Sequence, residues 1–153
     1  MSTQPKVMQT FTIKEASEQC GLPESTLRYY ESIGIIDPVA RDSSSKHRVY
    51  SEDDINALDA IACLNATGMP LEDMRAYMEN RTHGTNTAGE QIALFNTHLE
   101  RLRVEAQFLK LREAYVQLKL SYWQAVEAGN ESLADTIGQQ AKALAQDLKF
   151  SQK

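Results

Sequence analysis

Apolar residues recur along most of the chain at helical spacing, and glycine or proline interrupts the pattern at intervals, which predicts a mostly α-helical protein. Near the N-terminus, Thr12 followed by Glu15 is typical of a capping box. This pair predicts a short helix from Ile13 to about Cys20, which Gly21 ends.

A second helix is predicted from Pro23 to about Ser32, with its end at Gly34. Two short helices joined by a tight, glycine-containing turn are the outline of a helix-turn-helix, whose second helix enters the major groove of DNA. The segment STLRYYESIGII, residues 25–36, therefore lies where a recognition helix is expected.

The segment RDSSSKHRVY, residues 41–50, has a serine-rich centre flanked by basic residues and by the strand-forming Val39 and Val49. This pattern favours a β-hairpin wing whose tip reaches phosphates beside the groove. An ordinary surface loop is the alternative interpretation.

Ser51 with Asp54 predicts the capped start of a third helix that runs to about Thr67. Its apolar line is predicted to consist of Ile55, Leu58 and Ala62. After Gly68 and Pro70, LEDMRAYMEN predicts a fourth helix, and RTHGTNTAG, residues 81–89, is predicted to be a linker.

The strongest periodic signal follows the linker. Steps of three and four residues give a narrow stripe in which nine of ten positions are apolar: Ile92, Phe95, Leu99, Leu102, Ala106, Leu109, Glu113, Val116, Leu120 and Trp123. Such a stripe is typical of a coiled-coil seam, and a lone helix could not bury it. A second copy of the chain is the favoured cover. The alternative is a back-folded last helix, residues 131–150, with an apolar side predicted to contain Leu133, Ile137, Ala141, Leu144 and Leu148.

The polar stripe of the second predicted helix carries Ser25, Arg28 and Tyr29, whereas Leu27 and Tyr30 point to other sides. A solvated surface is the ordinary interpretation of such a stripe. The alternative is a face that contacts an anionic partner, because a guanidinium presents a fork of donors to phosphates or base edges and a tyrosine hydroxyl can donate to phosphate.

The net charge of −5 is unfavourable for a protein that binds the polyanion DNA. Residues 1–80 hold 7 Lys and Arg against 13 Asp and Glu, so any DNA-binding surface there needs locally clustered basic residues. Five basic side chains do lie within twenty-one residues: Arg28, Arg41, Lys46, His47 and Arg48.

Several classes of protein are disfavoured. No apolar run approaches the length of a membrane span and the N-terminus has no signal-peptide pattern, so a cytoplasmic protein is expected. Cys20 and Cys63 are too few for a disulfide scaffold. No phosphate-binding glycine loop, nucleophile motif or metal-ligand cluster points to an enzyme, a cofactor or a metal site.

The order of TIKEASEQCGLPESTLRYYESIGIIDP, RVYSEDDI, LNATGMPLEDMR, a linker and a long helix resembles the MerR family of bacterial transcription regulators over residues 11 to about 126. The resemblance implies a winged helix-turn-helix DNA-binding domain (residues 11–80), a linker (81–89), a long antiparallel coiled-coil dimerisation helix (90–127) and a short C-terminal helix (130–150). The apolar stripe predicts the dimer interface at Phe95, Leu99, Leu102, Leu109, Val116 and Leu120.

Family membership further implies a homodimer that binds a pseudo-palindromic promoter operator, distorts the DNA and acts on RNA polymerase at the same promoter. Such a protein is expected in the bacterial cytoplasm and on the nucleoid. The positions that match the family's DNA contacts are Arg28, Tyr29 and Arg48. His47 stands where many members have tyrosine, and Ser25 is added because it shares the helix face.

The resemblance also bears on the signal that is sensed. No cysteine follows Cys63, so thiolate metal sensing is not expected, and no metal or other cofactor is predicted. IACLNATGMPLEDM resembles the thiol-based subgroup that responds to aldehydes and related electrophiles, which makes Cys63 a candidate sensor. The predicted position of Cys63 off the apolar line favours partial exposure of its thiol. The carboxylate of Asp59, one turn earlier, disfavours the reactive thiolate. A cysteine that serves only packing is the alternative.

His83 and His98 are expected to be solvated rather than metal ligands. Tyr115, Tyr122 and Trp123 are expected to serve packing or, alternatively, to line an effector pocket.

Two further functions stay open at this point. An effector-independent DNA-bending architectural or recombination accessory protein could use the same winged helix. A coiled-coil interaction protein is disfavoured, because a long seam that holds two recognition helices at fixed separation suits paired half-sites.

Overall fold

The computed structural model describes residues 8–150, which form two compact units divided between Leu94 and Phe95. The elements in chain order are α1 (Ile13–Cys20), α2 (Glu24–Ser32), β1 (Ala40–Arg41), β2 (Arg48–Val49), α3 (Glu52–Ala66), α4 (Leu71–Arg81), a 3-10 helix (Gly84–Thr87), α5 (Ala88–Glu127) and α6 (Glu131–Phe150). No helix among these residues is long and apolar enough to cross a membrane.

Local side-chain chemistry sets the starts of two helices in the first unit. The Thr12 and Glu15 side chains exchange hydrogen bonds with each other's backbone amides at the start of α1, and Ser51 and Asp54 do the same at α3. Gly21 ends α1 in the left-handed region, at φ 73°. Both predicted capping boxes are confirmed, because such caps depend only on residues three apart.

The first unit is built around helices α1, α2 and α3. Helix α1 packs on α2 and α3, and α4 packs on α3. The core contains four large, fully buried side chains, which are Leu27, Tyr50, Leu58 and Ile61. The buried line of α3 is therefore Ile55, Leu58, Ile61 and Leu64. The predicted line was wrong at Ala62, which is only partly buried.

The predicted wing is a two-stranded antiparallel hairpin. Strand β1 pairs with β2 through Ala40 with Val49 and Arg41 with Arg48. Tyr50, directly after β2, forms an isolated bridge with Phe11, so that the backbone of the hairpin is tied to the segment before α1.

The segment that was predicted to be a linker is largely helical. Helix α4 continues to Arg81, the 3-10 helix follows, and α5 begins at Ala88. The Thr87 hydroxyl donates to the Asn80 carbonyl (2.6 Å), and the Gln91 amide donates to the Tyr77 carbonyl (3.0 Å), so side chains join the end of α4 to the start of α5.

In the second unit, which includes α5 from Phe95 onward, α6 packs against the C-terminal part of α5. Ala125, Ala134 and Ile137 are buried together, with Leu118 and Tyr122 packed against them. The prediction for α6 was wrong at Leu133, which is exposed, and Ala134 takes its place on the buried side. Two small side chains at this contact allow the helices to approach closely.

Candidate nucleic-acid interface

Helix α2 has one buried face and one exposed face. Leu27 and Tyr30 lie in the core, whereas Ser25, Arg28 and Tyr29 are exposed. Tyr29 leaves 52% of its surface in solvent, so its side chain is available for contact with a partner. Helix α2 therefore has the predicted arrangement, in which the polar stripe is exposed and Leu27 and Tyr30 point to other sides.

The Arg28 guanidinium is held only weakly within the chain. Its Nη1 lies 3.9 Å from Glu24 Oε2, and both side chains are largely exposed. An exposed pair at that separation contributes about 0.5 kcal/mol or less. The guanidinium can therefore exchange this partner for a phosphate or a base edge at little cost.

The tip of the wing is shaped by Asp42. Its Oδ1 accepts hydrogen bonds from the Ser44 amide (2.9 Å), the Ser44 hydroxyl (2.7 Å) and the Ser45 amide (2.8 Å). The bonds from Ser45 and Ser44 hold the pKa of the Asp42 carboxyl well below its usual range. The serine-rich sequence thus folds around the Asp42 carboxylate, whose Oδ1 already accepts three hydrogen bonds.

Basic side chains stand at this tip. Lys46 adopts a left-handed backbone (φ 64°), and its Nζ donates to the Ser43 carbonyl (3.0 Å). Arg41 Nη1 donates to the Lys46 carbonyl (3.2 Å), and the neighbouring His47 is exposed. The arrangement gives a compact, cationic hairpin tip.

Arg48 links the wing to α2. Its Nε donates to Glu31 Oε1 at 2.7 Å, and both side chains are mostly buried. Glu31 Oε2 also accepts from the Val39 amide, at 3.4 Å. Burial raises the pKa of Glu31, but the hydrogen bonds from Arg48 and Val39, with the positive charges of Arg48 and Arg41, outweigh it and leave the pKa below its ordinary value.

Arg75 on α4 is a second long-range support that the sequence did not reveal. Its Nη1 donates to the Ile33 carbonyl at 2.6 Å, directly after the last residue of α2. A cation at this position neutralises an unpaired carbonyl at a helix C-terminus. The following Gly34 has φ 77°, and a Cβ there would lie 3.6 Å from Arg75 Nη1.

The predicted seam is exposed on this single chain. Five of the six predicted dimerisation residues leave between 44% and 65% of their surface in solvent, and the sixth, Leu102, is partly buried. Helix α6 contacts α5 through Leu118, Tyr122 and Ala125, none of which is a seam position. Back-folding of α6 therefore leaves the seam uncovered.

The two cysteines differ in exposure. Cys63 is exposed on α3, as its predicted position off the apolar line requires. Cys20 is partly buried, and its thiol lies 3.9 Å from the Ser17 carbonyl oxygen. Cys63 therefore offers its thiol to a solvent-borne reagent more readily than Cys20 does.

The expectation for one histidine was wrong. His98 is buried, with 4% of its surface exposed, and its Nδ1 lies 2.9 Å from Arg101 Nη1. His83 is exposed, as expected. Within residues 8–150, no three His, Cys, Asp or Glu side chains converge in a way that could hold a metal ion.

Residues 11–81 match the family model described as MerR HTH family regulatory protein. An uncharacterised HTH-type transcriptional regulator of Haemophilus influenzae is 29% identical over 119 residues, which cover 78% of this chain and 87% of that protein.

Solved structures agree. HiNmlR, a MerR family regulator described as lacking the sensor domain and bound to promoter DNA, is 28% identical with a TM-score of 0.64, over 82% of this chain and 96% of that one. The transcription regulator PbrR691 of Ralstonia metallidurans CH34, solved in complex with lead(II), is 28% identical with a TM-score of 0.59, over 72% of this chain and 87% of that one. The winged helix-turn-helix and these matches together identify residues 11–81 as a helix-turn-helix domain of the MerR family of regulatory proteins.

Proposed function

We propose that two copies of this protein join through α5, bind a pseudo-palindromic promoter operator and distort the DNA to control transcription by RNA polymerase at that promoter. The observation that carries the proposal is the exposed face of α2, where Arg28 and Tyr29 stand beside a cationic wing. In this proposal Ser25, Arg28 and Tyr29 enter the major groove, and His47 and the wing tip contact flanking phosphates.

Arg48 has two roles in this scheme. Its Nε is committed to Glu31, so the pair fixes the angle between the wing and the recognition helix. The terminal nitrogens of the same guanidinium remain as donors for a phosphate, because a guanidinium carries five N–H groups. Glu31 thereby orients the Arg48 guanidinium in addition to neutralising part of its charge.

Homodimerisation is supported by the uncovered seam. The predicted seam residues of α5, from Phe95 to Leu120, leave apolar surface in solvent that a second copy would cover. A second α5 against it would place two recognition helices at a fixed separation, which is what two half-sites of an operator require. That HiNmlR is bound to promoter DNA supports the same use of this chain.

Distortion of the operator is part of the same proposal. A dimer with two wings and two recognition helices gains phosphate contacts if the duplex bends towards them, and this gain offsets a deformation cost of about 1–6 kcal/mol. An effector acts on such a protein by changing which DNA shape the dimer prefers.

For the effector, we propose a small electrophile that adds to Cys63. The exposed position of this thiol on α3 supports the proposal. An architectural protein that bends DNA without an effector is the alternative, and it predicts DNA distortion that no electrophile alters.

The test of DNA binding is fluorescence anisotropy with a labelled duplex from the promoter region beside the protein's own gene. Arg28→Ala is expected to weaken binding by about 5- to 100-fold, the cost of one lost base or phosphate contact. Arg103→Ala is the control, because Arg103 is an exposed arginine on α5 that likewise pairs with a glutamate of its own helix, Glu100. Equal affinities of Arg28→Ala and the unmodified protein at physiological salt would refute the assignment of the DNA-binding face.

A further inference from the structure

A groove of about 480 Å³ lies between α5 and α6 in the second unit. Three aromatic side chains of α5 line it, which are Tyr115, Tyr122 and Trp123. Its size falls within the range of small-molecule sites, about 300–1,000 Å³. The groove belongs to the second unit, whereas Arg28, Tyr29 and Cys63 belong to the first.

The aromatic side chains present a ring surface to this groove. Tyr122 and Trp123 pack edge to face, with ring centroids 5.2 Å apart and an interplanar angle of 86°. Trp123 nevertheless leaves 60% of its surface exposed. A pair arranged in this way fixes one ring against the other and leaves an indole face for a third aromatic ring.

The charged side chains of the groove favour an anion. Lys119 and Lys142 line it together with a single carboxylate, Asp135, so the net charge is +1. The Lys119 ammonium lies over the Tyr122 ring, 5.5 Å from its centroid. Within the described part of the chain neither lysine forms an ion pair, so both ammonium groups can turn to a ligand.

Gly138 faces the groove from the middle of α6. A glycine within a helix costs about 0.8–1 kcal/mol relative to alanine. An added Cβ would lie 3.5 Å from Tyr122 Cε2, which is ordinary contact, so packing against α5 does not require glycine here. The missing side chain therefore leaves space beside the Tyr122 ring that alanine or a larger residue would fill.

We propose that this groove binds a planar aromatic carboxylate, whose ring lies against Trp123 and Tyr122 and whose carboxylate is paired by Lys119 and Lys142. The aromatic side chains supply apolar contact area, and the two ammonium groups select the anion over a neutral analogue of the same shape. Such a ligand is an effector only if the proposed regulatory function holds. Binding is therefore tested without DNA, so that a failure of ligand binding can be told apart from a failure of the proposed DNA-binding function.

The experiment uses Trp123, the single tryptophan of the chain, as the reporter. Titration of the full-length protein with 4-nitrobenzoate is expected to quench its fluorescence along a saturable curve. The neutral 4-nitrobenzamide should bind about fivefold or more weakly, because it lacks the charge that the lysines pair.

Variants locate the site. Lys119→Gln and Lys142→Gln should each weaken 4-nitrobenzoate binding by about fivefold and bring it close to that of 4-nitrobenzamide. Lys110→Gln is the control, because this lysine is on α5 but outside the groove, and it should change nothing. Gly138→Leu should abolish saturable quenching while the helical circular dichroism is kept.

Two results would overturn the proposal. One is quenching that rises linearly with the 4-nitrobenzoate concentration and is the same in all variants. Such quenching is collisional, and it would mean that only a second copy or solvent occupies the groove. The other is saturable quenching that Lys119→Gln, Lys142→Gln and Gly138→Leu all leave unchanged, which would place the ligand elsewhere.

Discussion

The Arg48 side chain donates through Nε to Glu31 Oε1 at 2.7 Å, and this ion pair joins the second strand of the wing to the recognition helix. Both side chains are mostly shielded from water, so the pair is less screened than a surface contact. Seventeen residues separate the two partners in sequence. The pair thus fixes the wing and α2 relative to each other.

Glu31→Gln should lower the free energy of unfolding at pH 7 by about 1–2 kcal/mol, because the charge-assisted hydrogen bond from Arg48 is weakened. The folded-state pKa of Glu31 lies below its ordinary value of 4.5. Its stabilisation is therefore fully present above that ordinary value and is lost as the pH falls through the lower, folded-state value. Urea denaturation of both proteins across this range should show the difference shrinking in acid.

Glu24→Gln provides the matched control for this experiment. Glu24 lies on the same helix, is exposed and reaches an arginine only at 3.9 Å. It should change stability by less than about 0.5 kcal/mol. A Glu24→Gln effect as large as that of Glu31→Gln would show that helix charge, rather than the link to the wing, is responsible.

Arg75→Gln is expected to loosen the end of the recognition helix. The lost donor leaves the Ile33 carbonyl without its 2.6 Å partner, at a cost of about 1–3 kcal/mol. Hydrogen exchange should become faster at the Gly34, Ile35 and Ile36 amides, which bond to the last turn of α2. Arg81→Gln, at the exposed end of α4, should leave these amides unchanged. Unaltered exchange in Arg75→Gln would argue against a supporting role for Arg75.

Much of the fold could be predicted because its determinants are local. The capping pairs Thr12 with Glu15 and Ser51 with Asp54 lie three residues apart, and the starts of α1 and α3 follow from them. The seam repeats over a long helix, so its period is visible without a partner. The error at Ala62 has the same origin, because a helix of 3.6 residues per turn allows several adjacent apolar lines and only the neighbouring helices select one.

The candidate site was less predictable because its supports are long-range. The types of residue at positions 28, 29 and 48 pointed to DNA, but no local pattern shows that Arg48 bonds to Glu31 or that Arg75 reaches the end of α2 across 42 residues. The burial of His98 was missed for a different reason, because polar residues beside an apolar stripe are usually solvated.

Leu109→Glu should dissociate the proposed dimer. A carboxylate placed in an apolar seam must be desolvated without a partner, which should raise the dimer dissociation constant by about 100-fold or more. Val104→Glu is the control, because Val104 is an equally exposed apolar residue of α5 that is not a seam position. Sedimentation equilibrium measures both. Dissociation by Val104→Glu but not by Leu109→Glu would assign the interface to another face of α5.

Cys63→Ser separates the electrophile hypothesis from the architectural alternative. A brief, low dose of N-ethylmaleimide should add one adduct to the unmodified protein, since the exposed Cys63 thiolate attacks the alkene carbon and the adjacent carbon takes up a proton from water. Cys63→Ser should take up almost none over the same time, whereas Cys20→Ser, which removes the partly buried thiol, should react like the unmodified protein. Intact mass spectrometry gives these rates.

The same variants test sensing in a reporter strain. A quinone should induce transcription through the unmodified protein and through Cys20→Ser, but not through Cys63→Ser. Full induction through Cys63→Ser would exclude covalent sensing at this thiol and would leave a non-covalent ligand as the signal.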